Sequence, residues 1–397
     1  MNFGSKELGI FAQTRDCPSR RQILNAGTAL TLGALLNAKA ESTPHLELRA
    51  APLVRFPGTK NASRHRDGHT DCNSPAHWDG DTLYVFNSWE QPWRTAGPDL
   101  FHLAPLSESR EAQYDNPELK KLWIWLESTH RDENGVLYGW FHNEVPRLCR
   151  TGTGDLAGYP IVVRMGALRS EDNGLHWEDL GFFLEGSATS VLCDTEDVWY
   201  AGGVGDFFVL PDDAKQYLYI FFTSYSNRFS EQGLCLARLR YEDRATPRGK
   251  AYLWDGNGWR EPGIGGRPKP FFPATRDLTR KDGQTFWGPS IHWNTYLNQY
   301  VMLLNRVKNT AWATEGLYVS YSRDLSDPNS WSKPVKFMDG PEAVHADPEG
   351  REKNGWYVQV MGKKKGETDK LAGRYPRLFI DGVSRWELDF RLPQAGE

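Results

Sequence analysis

The 397-residue chain carries 47 Lys and Arg against 51 Asp and Glu, which gives a net charge of −4 at neutral pH. This acidic balance argues against sequence-independent binding to nucleic acid or to anionic lipid, and we expect neither partner. The chain has 38 Gly, 24 Pro and 16 Trp but only 39% hydrophobic residues. This composition predicts an all-β protein with many short strands and turns.

The first 40 residues have the features of an export signal. The motif SRRQIL (residues 19–24) resembles the twin-arginine signature, a short apolar run follows at 26–36, and AKA at 38–40 offers a cleavage site. The run is shorter than the ~20 apolar residues that span a bilayer. We therefore predict a signal peptide over 1–40, one folded domain over 41–397, a periplasmic or secreted location, and no stable membrane anchor after the signal is removed. Its removal takes away five basic and two acidic residues and leaves a net charge of −7.

Beyond the predicted signal, the chain contains four widely spaced cysteines and no C-x-x-C pair: Cys72, Cys149, Cys193 and Cys235. This spacing does not match a zinc ribbon. Export permits disulfides, whereas folding in a reducing cytoplasm before export permits buried free thiols. The sequence leaves both states open.

One hairpin pattern recurs along the rest of the chain. It consists of polar residues, a short strand, a tight turn and a return strand rich in β-branched and aromatic residues. The first copy is HTDCNSPAHWDGDTLYVFNS at residues 69–88, and four more follow at 137–144, 203–226, 287–306 and 345–362. Five such units predict a five-bladed β-propeller, with a strand from His45 to Phe56 completing the last blade.

Predicted outer strands lie between the hairpins, and a turn motif follows one of them. Residues 170–177 (SEDNGLHW) match the Asp-box pattern S-x-D-x-G-x-x-W, and a looser copy runs from Ser322 to Trp331. In this motif the Asp caps backbone N–H groups, so we assign Asp172 and Asp324 to turns rather than to chemistry. The Asp box also occurs in six-bladed sialidase-like propellers, which are the main alternative fold.

In a propeller the first strands of all blades converge at one end of the central channel. Residues at the starts of the five units should therefore meet. This set is rich in carboxylates and imidazoles: His69, Asp71, Asn73, Ser74, His142, Asn143, Glu144, Asp206, Trp287, Ser290, His292, Glu342, His345 and Asp347. Crowded carboxylates raise one another's pKa, so one can stay protonated beside an ionised neighbour, as cleavage of an acetal requires.

The repeated hairpins, the polar stretch DCNSP at 71–75, the return strand LYVFNS and the acidic residues on successive units resemble the five-bladed propeller glycosidases. This broad group contains glycoside hydrolase families 43, 32, 117 and 130, and the resemblance covers roughly Asp67 to Leu388. It implies hydrolysis of an oligo- or polysaccharide, with Asp71 as base or nucleophile, Glu144 as proton donor and Asp206 as supporting carboxylate. In family 43 the Glu follows on the third blade, so the roles of Glu144 and Asp206 can be exchanged.

Six further residues are candidate substrate-binding groups through hydrogen bonding or stacking: His69, Asn73, His142, Trp287, His292 and His345. The histidines are also potential metal ligands, but no two have a spacing such as H-x-x-x-H. We therefore predict no cofactor; a central metal ion is the alternative, which the ligand spacing does not support and which would need the fold to bring the histidines together.

Two other functions stay open. A polysaccharide lyase acting on a uronate polymer would need a cation beside the uronate carboxylate, and four arginines are candidates: Arg147, Arg164, Arg228 and Arg306. A non-catalytic carbohydrate-binding propeller is the other alternative. It would be favoured if the carboxylates were too dispersed to cooperate.

Overall fold

The computed structural model describes residues 44–58, 67–106, 112–149, 158–347 and 353–393, and the predicted signal peptide lies outside these ranges. The described residues contain 24 strands and one short α-helix, α1 (Gly340–Val344). Short 3₁₀ turns occupy Pro117–Lys121, Ala188–Ser190, Phe229–Glu231, Tyr241–Ala245 and Pro328–Ser330. No helix within the described ranges is long and apolar enough to cross a bilayer. The prediction of an all-β fold is confirmed.

The described strands form four hydrogen-bonded sheets, in which most neighbouring strands are antiparallel. The largest sheet has 11 strands and consists of two consecutive groups joined by parallel pairing of Ile161–Ser170 with Tyr200–Pro211, so the chain forms five consecutive groups after one leading strand. The leading strand is β1 (His45–Arg55). Group one contains β2 (Ala76–Asp79), β3 (Thr82–Trp89), β4 (Gln91–Gly97) and β5 (Ala104–Pro105), and group two contains β6 (Gln113–Tyr114), β7 (Trp123–Arg131), β8 (Leu137–Val145), β9 (Ile161–Ser170) and β10 (His176–Glu185). Group three contains β11 (Tyr200–Pro211), β12 (Tyr217–Ser224), β13 (Gly233–Arg240), β14 (Tyr252–Trp254), β15 (Trp259–Pro262) and β16 (Phe272–Pro273), and group four contains β17 (Phe286–Asn294), β18 (Gln299–Val307), β19 (Thr314–Ser322) and β20 (Val335–Asp339). Group five contains β21 (Gln359–Met361), β23 (Arg377–Ile380) and β24 (Val383–Arg391), whereas β22 (Leu371–Ala372) pairs in parallel with β17 of group four.

The inner strands are buried on both faces because neighbouring groups pack against each face. In β12, Ile220 and Phe222 contribute to a core cluster shared with group two, whereas Tyr219 and Phe221 contribute to one shared with group four. This explains why β12 reads as a continuous apolar run rather than an alternating one.

The first strands β2, β7, β11, β17 and β21 lie side by side in that order. The backbone N–H of Ser74 donates to Gln359 Oε1 at 2.7 Å, which links the fifth group to the first. Strand β1 pairs with β24 from His45 opposite Arg391 to Arg55 opposite Val383. The predicted strand from His45 to Phe56 is thus confirmed over His45–Arg55, whereas the number of five blades stays a prediction.

Three of the five predicted hairpins are confirmed, as β2–β3, β11–β12 and β17–β18. The other two are wrong. Residues 137–144 belong to β8, the second strand of group two, whose first strand is β7. In the stretch 345–362, helix α1 ends just before His345, and the one strand described there, β21, pairs with the later strand β23.

The Asp box forms as predicted. Asp172 Oδ1 accepts hydrogen bonds from the backbone N–H groups of Leu175 and His176, and Trp177 is buried beneath the turn. The cysteines adopt both of the states that the sequence left open. Cys149 and Cys193 form a disulfide, whereas Cys72 and Cys235 are buried free thiols.

Candidate active site

A cavity of about 610 Å³ lies where the first strands of the five groups begin. We call it the acidic cavity. It is lined by seven Trp, three Tyr, three carboxylates, one Asn and one Ile: Asp71, Trp89, Glu90, Trp123, Trp125, Glu144, Tyr159, Ile161, Trp199, Tyr200, Trp287, Trp312, Asn354, Trp356 and Tyr357. Its walls are therefore mostly aromatic, and its charged lining residues are all acidic.

Irregularities in three first strands shape the floor of this cavity. The pairing register shifts at Glu127 in β7, at Asp206 in β11 and between Trp287 and Ser290 in β17. A bulge adds a residue to one strand and re-aims its side chain, a device that is common near active sites. At Asp206 the backbone adopts φ +43°, a left-handed conformation that Asp tolerates better than most residues.

The three predicted catalytic residues come together here. Asp71 and Glu144 line the cavity. Asp206 lies behind the wall and is 1% exposed, and the hydroxyl of Tyr357 donates to its Oδ1 at 3.1 Å. The other carboxylate oxygen of Asp206 accepts hydrogen bonds from Tyr200 Oη at 3.2 Å and from Tyr225 Oη. Three hydroxyl donors thus fix its orientation.

A fourth carboxylate, Glu127, was not predicted. It is fully buried on β7, where it accepts hydrogen bonds from His142 Nδ1 and, at 2.8 Å, from the backbone N–H of Phe207. The Nε2 atom of the same imidazole is 3.5 Å from Glu144 Oε1. The sequence did carry a signal, because Glu127 interrupts the apolar strand WIWLESTH, and a charge buried in a strand needs a partner.

The surroundings of Asp71, Glu144 and His142 shift their pKa values to different extents. Burial raises the pKa of Asp71 well above its usual range, and the neighbouring Glu144 and Asp206 carboxylates add to the rise. Burial also raises the pKa of Glu144, but contact with His142 opposes that rise. Burial alone would lower the pKa of His142, yet the adjoining Glu127 and Glu144 carboxylates hold it well above its ordinary value.

One group in the described part of the chain has the composition of a metal site. Glu127, His142 and Asp206 each place a potential ligand atom within 4.8 Å of the others. The Glu127 carboxylate already accepts hydrogen bonds from His142 and from the Phe207 N–H. The Asp206 carboxylate accepts hydrogen bonds from three tyrosine hydroxyls. These contacts describe a hydrogen-bonded network, and we identify none of the three as a metal ligand. That the protein needs no metal or cofactor stays a prediction.

The predicted substrate-binding residues divide into two sets. Trp287 lines the cavity, His142 lies directly behind Glu144, and His69 stacks on Trp89, a lining residue. The other three lie elsewhere. Asn73 is buried and donates to the Pro289 carbonyl at 2.9 Å, His292 is buried further along β17 against Phe390, and His345 is exposed after α1.

No protein-family model and no curated protein matches the sequence. Several solved structures are similar to it. An exo-β-1,3-galactanase from Phanerochaete chrysosporium bound to β-1,3-galactotriose is 10% identical, with a TM-score of 0.47, over 85% of this chain and 64% of that chain. A thermostable family-43 glycoside hydrolase is 10% identical, with a TM-score of 0.45, over 82% and 91%. An arabinanase from Bacillus subtilis is 10% identical, with a TM-score of 0.42, over 85% and 97%. The chain thus spans less than two thirds of the galactanase, and the function proposed below rests on the geometry of the acidic cavity.

Proposed function

We propose that this protein is an exported glycoside hydrolase that cleaves an oligo- or polysaccharide in the acidic cavity. The observation that carries the proposal is the pair Asp71 and Glu144 in an aromatic cavity, with Asp206 directly behind. Cleavage of a glycosidic bond needs one carboxyl group to protonate the leaving oxygen and a second to activate water or to attack the sugar. Aromatic walls supply flat apolar surfaces on which sugar rings can stack.

The charge of the cavity argues against the lyase alternative. Among the described residues that line it there is no Lys or Arg, and the charged ones, Asp71, Glu90 and Glu144, would repel a uronate carboxylate when ionised. Three of the four candidate arginines are engaged with other side chains: Arg164 donates to Asn143, Arg228 lies beside Glu231 and Arg306 donates to Thr275. The fourth, Arg147, is exposed and does not line the cavity.

The coupling of the carboxylates argues against a purely sugar-binding protein. The carboxylates of Glu144, Asp206 and Asp381 are close enough to Asp71 to add to the rise in its pKa that burial causes. Concentrating like charges destabilises a fold, and such clusters of perturbed carboxyls are typical of catalytic sites. A binding site for neutral sugar would not require them.

The proposed location and substrates have separate support. The Cys149–Cys193 disulfide is consistent with an oxidising compartment outside the cytoplasm, in agreement with the export signal predicted over residues 1–40. The similar structures include a galactanase bound to β-1,3-galactotriose and an arabinanase, so β-1,3-galactan and arabinan are the first substrates to test. An acidic protein of this kind would need neither nucleic acid nor a membrane as a partner.

Purified protein should be incubated with β-1,3-galactan, arabinan and a uronate polymer, followed by assays for new reducing ends and for ultraviolet absorbance. We expect new reducing ends from a neutral glycan without a rise in absorbance. The matched control is the double variant Asp71→Asn, Glu144→Gln, which should bind the same glycan without cleaving it. Equal activity of this variant, or an absorbance rise on the uronate polymer, would refute the proposed hydrolase.

A further inference from the structure

We propose that Glu127 and His142 form a positioning pair that keeps Glu144 ionised, which leaves Asp71 as the proton donor. This inference rests on the proposed hydrolase function. It exchanges the roles that the family resemblance implies, in which Asp71 is the base or nucleophile and Glu144 the proton donor. It also gives a role to Glu127, which does not line the cavity.

The first argument is the position of His142 between two carboxylates. Its Nδ1 contacts Glu127 Oε1, and its Nε2 lies 3.5 Å from Glu144 Oε1. A neutral imidazole can donate its one N–H to Glu127, whereas an imidazolium also attracts Glu144 electrostatically across the 3.5 Å contact, at which Nε2 makes no hydrogen bond. His142 is 1% exposed and Glu127 is fully buried, so water does not screen these charges. The geometry therefore favours a cation at His142, and that cation stabilises the ionised form of Glu144.

The second argument is that Glu127 cannot easily turn away. Its second carboxylate oxygen accepts the Phe207 N–H at 2.8 Å, and the residue sits at the register shift of β7. Both oxygens are thus held by different strands. Because Glu127 does not line the cavity, it can act on the substrate only indirectly, and its contact with His142 provides a route to Glu144.

The third argument is the contrasting environment of Asp71. Its backbone N–H donates to the Ser88 carbonyl, but no hydrogen bond or ion pair reaches its carboxylate from the described residues. The charged groups that face it are three carboxylates, Glu144, Asp206 and Asp381, and the His142 cation beyond Glu144. Glu144 itself faces His142, Asp206 and Glu90. His142 faces Glu127, Glu144 and Asp206. Of the two lining carboxyls discussed, only Glu144 lies beside His142, so a proton is held more strongly by Asp71 than by Glu144.

The reaction balances with these roles. Asp71 gives its proton to the glycosidic oxygen as the bond from that oxygen to the anomeric carbon breaks. Glu144 either accepts a proton from the water that attacks the anomeric carbon, or attacks the carbon itself and is released when Asp71 deprotonates a water molecule. Either route consumes one water and yields a free sugar and an alcohol. In the first route, proton exchange with solvent restores both carboxyls.

The roles can be separated by the leaving group of the substrate. We would compare phenyl and 2,4-dinitrophenyl glycosides of β-D-galactose and α-L-arabinofuranose, because dinitrophenolate leaves without protonation. We expect Asp71→Asn to lose about 10³-fold in kcat/KM on the phenyl glycoside but no more than about 10-fold on the dinitrophenyl glycoside. Glu144→Gln should lose about 10³-fold on both. The opposite pattern would overturn the assignment.

A positioning role for Glu127 predicts a change in the pH profile that loss of packing alone would not cause. In Glu127→Gln the cation at His142 is weakened, so the pKa of Glu144 rises and the acidic limb of kcat/KM moves to higher pH. Glu127→Asp, which keeps the charge, should retain the wild-type limb at reduced activity. If the limb stays in place in Glu127→Gln, Glu127 is only structural.

Nuclear magnetic resonance of ¹⁵N-histidine-labelled protein tests the pair without any substrate. We expect both ring nitrogens of His142 to be protonated at neutral pH in the wild type, and one to lose its proton in Glu127→Gln. Tyr241→Phe, which alters the environment of His130 instead, is the control. A neutral His142 in the wild type would refute the pair even if no cleaved glycan were found. A protonated His142 in a protein that cleaves no glycan would refute the hydrolase instead.

Discussion

The first strands begin at the acidic cavity and end at a second cavity of about 480 Å³. The two cavities differ in how their charged side chains are paired. The lining of the second, which we call the opposite cavity, includes Arg131, Lys370 and His130. Each has a partner there: Arg131 contacts Asp79 at 2.9 Å, Lys370 contacts Asp369 at 2.6 Å and His130 contacts the Tyr241 hydroxyl at 2.8 Å. In the acidic cavity, by contrast, like charges are concentrated and Asp71 has no such partner. Unbalanced charge therefore distinguishes the end where chemistry is expected from the end that stabilises the fold.

The largest effect is expected when two Asp residues are compared, one near each cavity, that both accept hydrogen bonds from tyrosine hydroxyls. Asp206→Asn should lower kcat/KM about 10²–10⁴-fold, because it removes the negative charge next to Asp71 and Glu144 while keeping the shape. Asp213→Asn is the matched control, since Asp213 accepts a hydrogen bond from Tyr300 at 3.3 Å in the opposite cavity. It should change kcat/KM less than about twofold. Similar losses in both variants would contradict the distinction between the two ends.

The disulfide should stabilise the side of the molecule that carries the acidic cavity. Its cysteines precede Tyr159 and Trp199, two lining residues that contact each other edge to face. Replacing both cysteines by Ser should lower the free energy of unfolding by about 2–4 kcal/mol, because the bridge closes a loop with a sequence separation of 44 residues. Denaturant unfolding with and without reducing agent measures this. A reductant effect that persists in the double variant would show that the bridge is not its cause.

Loss of one aromatic wall should weaken binding more than turnover. Trp199→Ala should raise KM about 10-fold with little change in kcat, since a stacked aromatic ring contributes about 1–2 kcal/mol. Trp293→Ala, in the opposite cavity, is the control and should leave KM unchanged. Equal changes in KM would mean that the substrate does not bind in the acidic cavity.

Buried histidines away from the acidic cavity should make the fold sensitive to acid. Burial lowers the pKa of His292 to about 3, below its unfolded value of about 6.5. The unfolded chain therefore binds an extra proton between these values, so this contribution is complete above about pH 6.5 and is lost as pH falls toward 3. In His292→Gln the slope of unfolding free energy against pH, measured from pH 4 to 6, should decrease by up to about 1.4 kcal/mol per pH unit. An unchanged slope would show that His292 stays uncharged on unfolding or is charged in both states.

The smallest effect is expected for an ion pair of the opposite cavity. Arg131 and Asp79 are both partly exposed, so solvent screens their attraction. Arg131→Gln should cost less than about 1 kcal/mol in unfolding free energy and should change kcat/KM less than about twofold. A large loss of activity with normal stability would indicate that the opposite cavity takes part in function.

Local patterns in the sequence predicted much of the fold. Three hairpins, the leading strand and the Asp box followed from turns and strand residues close together in the chain. The order of strands in group two did not, because β7 and β8 are both buried and only their long-range neighbours decide which comes first. The stretch after Asp339 was also missed, since α1 is only five residues long and β21 pairs with a strand that follows much later.

The candidate site was predicted only in part, because it too depends on contacts between residues that are distant in the chain. Asp71, Glu144 and Asp206 do lie near one another, although Glu144 lies on a second strand, and their catalytic roles stay a prediction. His292 was placed too close to the cavity. It lies five residues after Trp287, and a strand advances about 3.3 Å per residue, so it sits much further along the channel. Glu127 was overlooked although it interrupts an apolar strand, because its partner His142 lies on the next strand and only the folded structure shows their contact.

The aromatic lining of the acidic cavity gives the protein an optical reporter of its own. Seven of its 16 Trp surround this one site, so a large share of the protein's fluorescence originates where a sugar would bind. A glycan entering the cavity displaces water from these indole rings, which shifts or quenches their emission. Titration of the Asp71→Asn, Glu144→Gln double variant could therefore rank glycans by affinity without chromogenic substrates.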